Sequence, residues 1–172
     1  FPGIKVSYHD KLIQNLDMNF SDFDLIISST GNPNVQRTYN NYFAENKIDV
    51  PVIYTWMESG GKAGHALLVR YAEKGCLNCL YAENETNKLN FFGVGEEIKL
   101  ISNSCGGTFA PYGNIAVMKT STIALDLIYD ALNDSDIKTK GISWIYKENK
   151  TNFKYYSDED IFSEECETCG TR

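Results

Sequence analysis

The chain has 172 residues, enough to bury one core rather than two. Hydrophobic residues make up 42% and aromatics 13%, which excludes a disordered chain. The net charge of −7, with no Lys/Arg cluster, speaks against nucleic acid as a partner, whose phosphates need a basic face; a cationic protein tail suits that charge better. No apolar run reaches membrane-spanning length and the first residues carry no signal-peptide pattern, so reduced thiols in a cytoplasmic setting, with no membrane partner, are expected.

In chain order, residues 4–8 predict a short strand, and the spacing of Leu12, Ile13, Leu16 and Met18 predicts a short helix over residues 10–20. Residues 23–29 form a near-continuous apolar run, the pattern of a parallel strand covered on both faces. Asn32 then reads as a helix cap and Pro33 as a first helical residue, with the helix running through Val35, Tyr39, Tyr42 and Phe43. Residues 50–56 are the next buried strand. Strand, helix, strand in succession predicts right-handed crossovers and a parallel sheet. Residues 59–64 read as a loop, and 65–70 as a strand of alternating or mixed burial. Residues 83–104 are irregular and polar, with a strand near Ile98. A long helix over residues 115–132 turns Ile123, Leu127, Ile128 and Leu132 inward, and strands at 142–146 and 152–156 form a hairpin across the polar 147–151 segment. The acidic residues of 157–165 read as a solvated face.

Two Cys-x-x-Cys pairs, Cys76-Leu77-Asn78-Cys79 and Cys166-Glu167-Thr168-Cys169, carry the most specific chemical signal. Each spacing lets a tight turn aim two thiolates at one metal, and two such turns complete a four-cysteine zinc site, with disulfide or redox pairs as the alternative. A zinc ion with four thiolate ligands has no open position, so its expected role is to staple the C-terminal segment to the middle of the domain. That leaves Cys105, in Asn103-Ser104-Cys105-Gly106-Gly107-Thr108. A free cysteine is often a small core residue. Here the glycines favour a loop that a bulky protein tail can approach, and a thiolate is a competent nucleophile toward an activated acyl group. His65 reads as a structural histidine at a strand start, with a general base or ligand as the alternative.

No Gly-x-Gly-x-x-Gly turn is present. Gly93-Val94-Gly95 lacks the third glycine, and Gly60-Gly61-Lys62-Ala63 lacks the spacing and hydroxyl of a phosphate loop. The chain therefore reads as the C-terminal half of a larger nucleotide-binding domain whose N-terminal half lies upstream, a complete small α/β domain being the alternative.

The runs Pro51-Val52-Ile53-Tyr54-Thr55-Trp56-Met57-Glu58, Gly64-His65-Ala66-Leu67-Leu68-Val69 and Gly75-Cys76-Leu77-Asn78-Cys79-Leu80 resemble the C-terminal part of the ThiF/MoeB superfamily of ubiquitin-activating-enzyme-like adenylyltransferases. So does the stretch from Cys105 to Gly113 ahead of a long helix, followed by the second cysteine pair. The form most similar is the bacterial one fused to a conjugating-enzyme-like domain. The resemblance implies one α/β domain over residues 1–172, the C-terminal part of a Rossmann-like mixed sheet with flanking helices and a four-cysteine zinc site. It implies ATP- and Mg2+-dependent adenylation of the C-terminus of a ubiquitin-like or other carrier protein, and transfer of that acyl group to Cys105 as a thioester. Sulfur-carrier activation for thiamine or molybdenum cofactor synthesis, and a non-catalytic zinc-stabilised interaction domain, are the alternatives. Asn32 and Arg37 fall at or beside the family's nucleotide-side positions, and Gly31 stands where a magnesium-binding Asp is expected. Whether the domain forms a homodimer is left open.

Overall fold

Asn32 starts a helix because its backbone is extended while its side chain accepts from Asn34 N–H at 3.0 Å and Val35 N–H at 3.3 Å. Pro33 follows at the first helical position, where a missing N–H costs nothing. The resulting helix, α1 (Pro33–Glu45), joins strand β1 (Ile26–Ser28) to strand β2 (Val52–Met57) in a parallel pair with Ile26 opposite Val52 and Ser28 opposite Tyr54. This is seen in a computed structural model that describes residues 3–83, 86–92, 101–102, 108–109 and 112–170.

The remaining strands of the main sheet are antiparallel. β3 (Ala63–Val69) pairs with β2, and β6 (Lys140–Lys147) pairs with β3 and with β7 (Lys150–Tyr156), giving the order β1-β2-β3-β6-β7. The fold is mixed α/β with a five-stranded mixed sheet, so the expected parallel arrangement holds for the first pair alone. The reason is the connection after Met57. A short 3-10 turn, Ser59–Gly61, is all that separates β2 from β3, and a parallel crossover needs a dozen residues or more. At the other end of the sheet, Glu148 and Asn149 both take positive φ, 54° and 59°, in the tight two-residue turn of the β6–β7 hairpin. A separate pair, β4 (Ile101–Ser102) and β5 (Thr108–Phe109), is antiparallel.

Helix α2 (Asn114–Asn133) packs over β2, β3 and β6 on one face of the sheet, with Ile53, Leu68, Ile123, Leu127 and Trp144 at its core. Each such side chain contributes about 2 kcal/mol of apolar burial. Gly64 makes the close approach possible: a Cβ there would overlap Thr120 Oγ1 and lie 2.6 Å from Trp144 Nε1, which donates to that hydroxyl at 2.9 Å. The opposite face carries α1, the cysteine region and the short helix α3 (Asp158–Ile161), around Phe43, Tyr54, Leu67, Leu77 and Ile161.

Several local expectations give way to tertiary context. Residues 4–8 form no strand, and Ile4, Val6 and Tyr8 are largely exposed, because an alternating pattern without a neighbouring strand has nothing to pair with. The helix expected over 10–20 is replaced by two 3-10 turns, Ile13–Asn15 and Phe20–Asp22, a segment of that length being marginal as an isolated helix. β1 is an edge strand, so Ile27 is exposed rather than covered. β3, central in the sheet, is buried along its whole length instead of alternating. On α2, Ile123 and Leu127 face inward and Ile128 is half-buried, but Leu132 is exposed. The strand expected near Ile98 lies outside the described residues.

Candidate metal centre and the strand-end edge

The two Cys-x-x-Cys turns meet. The first opens a 3-10 turn, Leu77–Tyr81, that follows β3; the second follows α3, whose buried Ile161 anchors the C-terminal segment in the core. Sulfur–sulfur distances are 3.9 Å for Cys76–Cys79, 3.7 Å for Cys76–Cys166, 3.5 Å for Cys76–Cys169 and 3.2 Å for Cys79–Cys169, and all four sulfurs lie within 4.8 Å of one another. None of these pairs is bonded as a disulfide, whose sulfurs sit about 2.05 Å apart. A tetrahedron of thiolates about 2.3 Å from a central ion has edges of about 3.8 Å, close to those seen. Cys76, Cys79 and Cys166 are buried and Cys169 is half-buried. Four thiolates whose sulfurs all lie within 4.8 Å of one another repel strongly, so holding all four ionised needs a cation between them. The four cysteines are thus positioned to hold a metal ion.

A buried polar chain supports the first turn. Asn40, on the inner face of α1, donates to Cys76 Sγ at 3.6 Å, while its Oδ1 accepts from Leu77 N–H and from Tyr71 Oη, both at 3.0 Å. Tyr71 Oη in turn accepts from Tyr54 Oη at 2.7 Å. Both phenols are pushed up, first by burial, and stay protonated donors. Such partners orient a ligand and tune its basicity. Sequence reading missed Asn40. The available signal was that Gln36 and Asn40, both polar, share the buried stripe of α1 with Phe43. Gln36 Nε2 bonds the carbonyls of Ser28 and Thr55, tying the ends of β1 and β2 together.

Asn41 and Arg37, also on α1, reach the same metal centre from outside. Asn41 Oδ1 accepts from Asn78 Nδ2 at 2.6 Å and Thr168 Oγ1 at 3.1 Å, joining the middle residues of both cysteine turns. Arg37 donates from Nε to Asn78 Oδ1 at 3.3 Å and lays its guanidinium 4.9 Å over the Tyr81 ring. Asn32 sits at the start of α1, at the C-terminal edge of the parallel pair. Cys105 lies outside the described residues.

That edge is distinct from the metal centre. β3 runs against β2, so its end, where the cysteines begin, lies at the opposite edge from the end of β1. The start of α2 joins Asn32 at the strand-end edge: a Cβ on Gly61, just beyond β2, would meet the Cβ atoms of Tyr112 and Ala116. Glu58 closes β2 there. One of its carboxylate oxygens accepts from His65 Nε2 at 2.8 Å and Phe91 N–H at 2.7 Å, and the other from Phe92 N–H at 2.8 Å. Burial raises the Glu58 carboxyl, but these three donors outweigh it and hold the group below its ordinary value. An ionised carboxylate only accepts, so His65 carries its proton on Nε2, and Nδ1 accepts from Ser143 Oγ at 2.6 Å. Burial pushes the imidazole below its ordinary value against the pull of Glu58, keeping it neutral between the rings of Trp56 and Phe91. His65 is fully buried and its two ring nitrogens are satisfied within the protein, so it is structural. Through Glu58 it helps to fix the backbone at Phe91 and Phe92.

No family model matches the chain, and no curated protein matches it significantly. Among the described residues, no helix is long and apolar enough to cross a membrane.

Proposed function

We propose that the chain is the C-terminal part of an adenylating domain of the ThiF/MoeB type, Rossmann-like in its β1–α1–β2 unit, with a structural zinc ion and with Cys105 as acyl acceptor. The observation that carries this reading is a division of labour along the sheet. A closed four-cysteine clamp occupies one edge, and the starts of α1 and α2 gather at the other. Zinc is the metal that four thiolates in a tetrahedron suit, and with no open position it holds the C-terminal segment and does no chemistry. Carboxyl ends of parallel strands and helix starts are where nucleotides sit in open α/β sheets, so Asn32 lies on the ATP side. Arg37, about one and a half turns further along α1, links that side to the clamp. In this reading the Gly-rich phosphate turn, and the acidic magnesium ligand that Gly31 does not supply, come from an upstream half.

The chemistry is two substitutions. The carrier's C-terminal carboxylate attacks the α-phosphorus of ATP, expelling pyrophosphate and leaving an acyl adenylate. The Cys105 thiolate attacks the acyl carbon, AMP leaves, and a thioester forms. The segment bearing Cys105 starts beyond the backbone that Glu58 grips and ends at α2, so both its attachments lie on the strand-end edge.

In protein that includes the upstream sequence, ATP–pyrophosphate exchange is expected, together with a thiol-sensitive carrier adduct that Cys105→Ala abolishes without abolishing exchange. Exchange catalysed by residues 1–172 alone would overturn the half-domain reading, and an adduct that survives Cys105→Ala would overturn the nucleophile. A second reading, a zinc-stabilised interaction domain without catalysis, is favoured by the wide apolar stripe that α2 exposes. A Cys105 inert to thiol probes in the metal-loaded protein selects it.

A further inference from the structure

The four-cysteine clamp is unevenly built. Cys76, Cys79 and Cys166 are buried, whereas Cys169 is half-buried, so a small solute meets it first. Its sulfur lies 3.2 Å from Cys79 Sγ, closer than the 3.5 Å to Cys76 Sγ. Cys76 and Cys166 are 3.7 Å apart, while the two cysteines of the first turn are 3.9 Å apart. The closest sulfurs therefore face each other across the two turns. The middle residues of the turns hold them in that arrangement: Asn78 Nδ2 donates to Thr168 Oγ1 at 2.9 Å, and both residues donate to Asn41 Oδ1. A closed site leaves the ion inert, but its ligands are thiolates. A reachable thiolate with a second one beside it is the arrangement that oxidises reversibly.

We propose that the clamp is a redox switch, in which a peroxide converts a metal staple into a disulfide staple. The Cys169 thiolate attacks a peroxide oxygen, the O–O bond breaks, hydroxide leaves, and Cys169 becomes a sulfenic acid. The Cys79 thiolate then attacks that sulfur, hydroxide leaves, and the S–S bond forms. The peroxide gains two electrons and the cysteine pair loses two. The two sulfurs have to close by about 1.2 Å. With two of its ligands consumed the ion is released, while the Cys79–Cys169 bond still ties the C-terminal segment to the turn that follows β3. A dithiol reductant and fresh metal restore the first state. The inference rests on the clamp holding a metal and is independent of adenylation.

The test treats the metal-loaded chain with hydrogen peroxide, in a Cys105→Ala background so that the fifth thiol takes no part. Released zinc is followed with a colorimetric chelator, and bridges are mapped by mass spectrometry without reduction. Expected are loss of the bound metal and a peptide pair joined through Cys79 and Cys169. A cooperative thermal transition should survive in the oxidised protein and vanish when reductant and chelator are added together. Metal retained in excess peroxide, a bridge within either turn, sulfinic acids without a bridge, or a transition lost together with the metal overturns the proposal. A chain that carries no metal when purified without chelator defeats the clamp itself, and the switch with it.

Discussion

The two edges of the sheet solve the same problem, burying polar groups, in opposite ways. At the cysteine edge the partners are remote in sequence: a helix residue, Asn40, two tyrosines from β2 and beyond β3, and thiols 90 residues apart converge on one point. At the strand-end edge the buried groups, Glu58, His65 and Ser143, come from neighbouring strands and grip backbone at Phe91 and Phe92. The first network ends on four sulfurs positioned to hold an ion. The second is complete within the protein and directs its hydrogen bonds to positioning a segment. A site built around a metal is a staple; a site built around a carboxylate and two amides is an anchor for the chain that leaves it.

Metal removal should separate the two edges most sharply. Structural zinc sites contribute on the order of 10 kcal/mol of apparent binding free energy, so chelation, or Cys76→Ser, is expected to abolish the cooperative thermal transition, with one metal per chain lost by elemental analysis. A metal-free protein that melts unchanged would show that the staple is dispensable. Glu58→Ala comes next. It leaves His65 Nε2–H and the amides of Phe91 and Phe92 without their acceptor, a loss of about 3 kcal/mol or more in denaturant unfolding, with metal content unchanged. Asn40→Ala removes the acceptor that Leu77 N–H and the Tyr71 hydroxyl share. It should cost about 2 kcal/mol and weaken the metal roughly 10- to 100-fold in chelator competition, the effect that marks a ligand-orienting partner. Asn32→Ala is the smallest, about 1 kcal/mol from the lost cap, with no change in metal affinity. If Asn32→Ala instead disturbed the metal, the two edges would be one coupled unit.

The four clustered cysteines were legible because Cys-x-x-Cys is a local rule: spacing alone decides that two thiols share a turn. So were Asn32 and Pro33, whose capping chemistry depends on nothing beyond the next turn. Asn40 and Glu58 were not legible as partners, because each is defined by what packs on it from elsewhere in the chain. The strand expected over residues 4–8 failed for the matching reason: a pleated pattern is half of an interaction, and the other half is absent beside it.

What the sequence by itself determined, then, was the set of local commitments: a capped α1, a β6–β7 hairpin with its tight turn, two Cys-x-x-Cys turns, and a balance of apolar residues that demands a core. Tertiary structure alone decided that the sheet is mixed, that β1 is an edge, that His65 is held between Glu58 and Ser143, and that α2 turns a second apolar stripe outward. The physical reason is range. Caps, turns and ligand spacing are fixed within a few residues. Strand direction, burial and exposure depend on which distant surfaces meet, and here a short turn after Met57 reversed β3 and set every later element's neighbours.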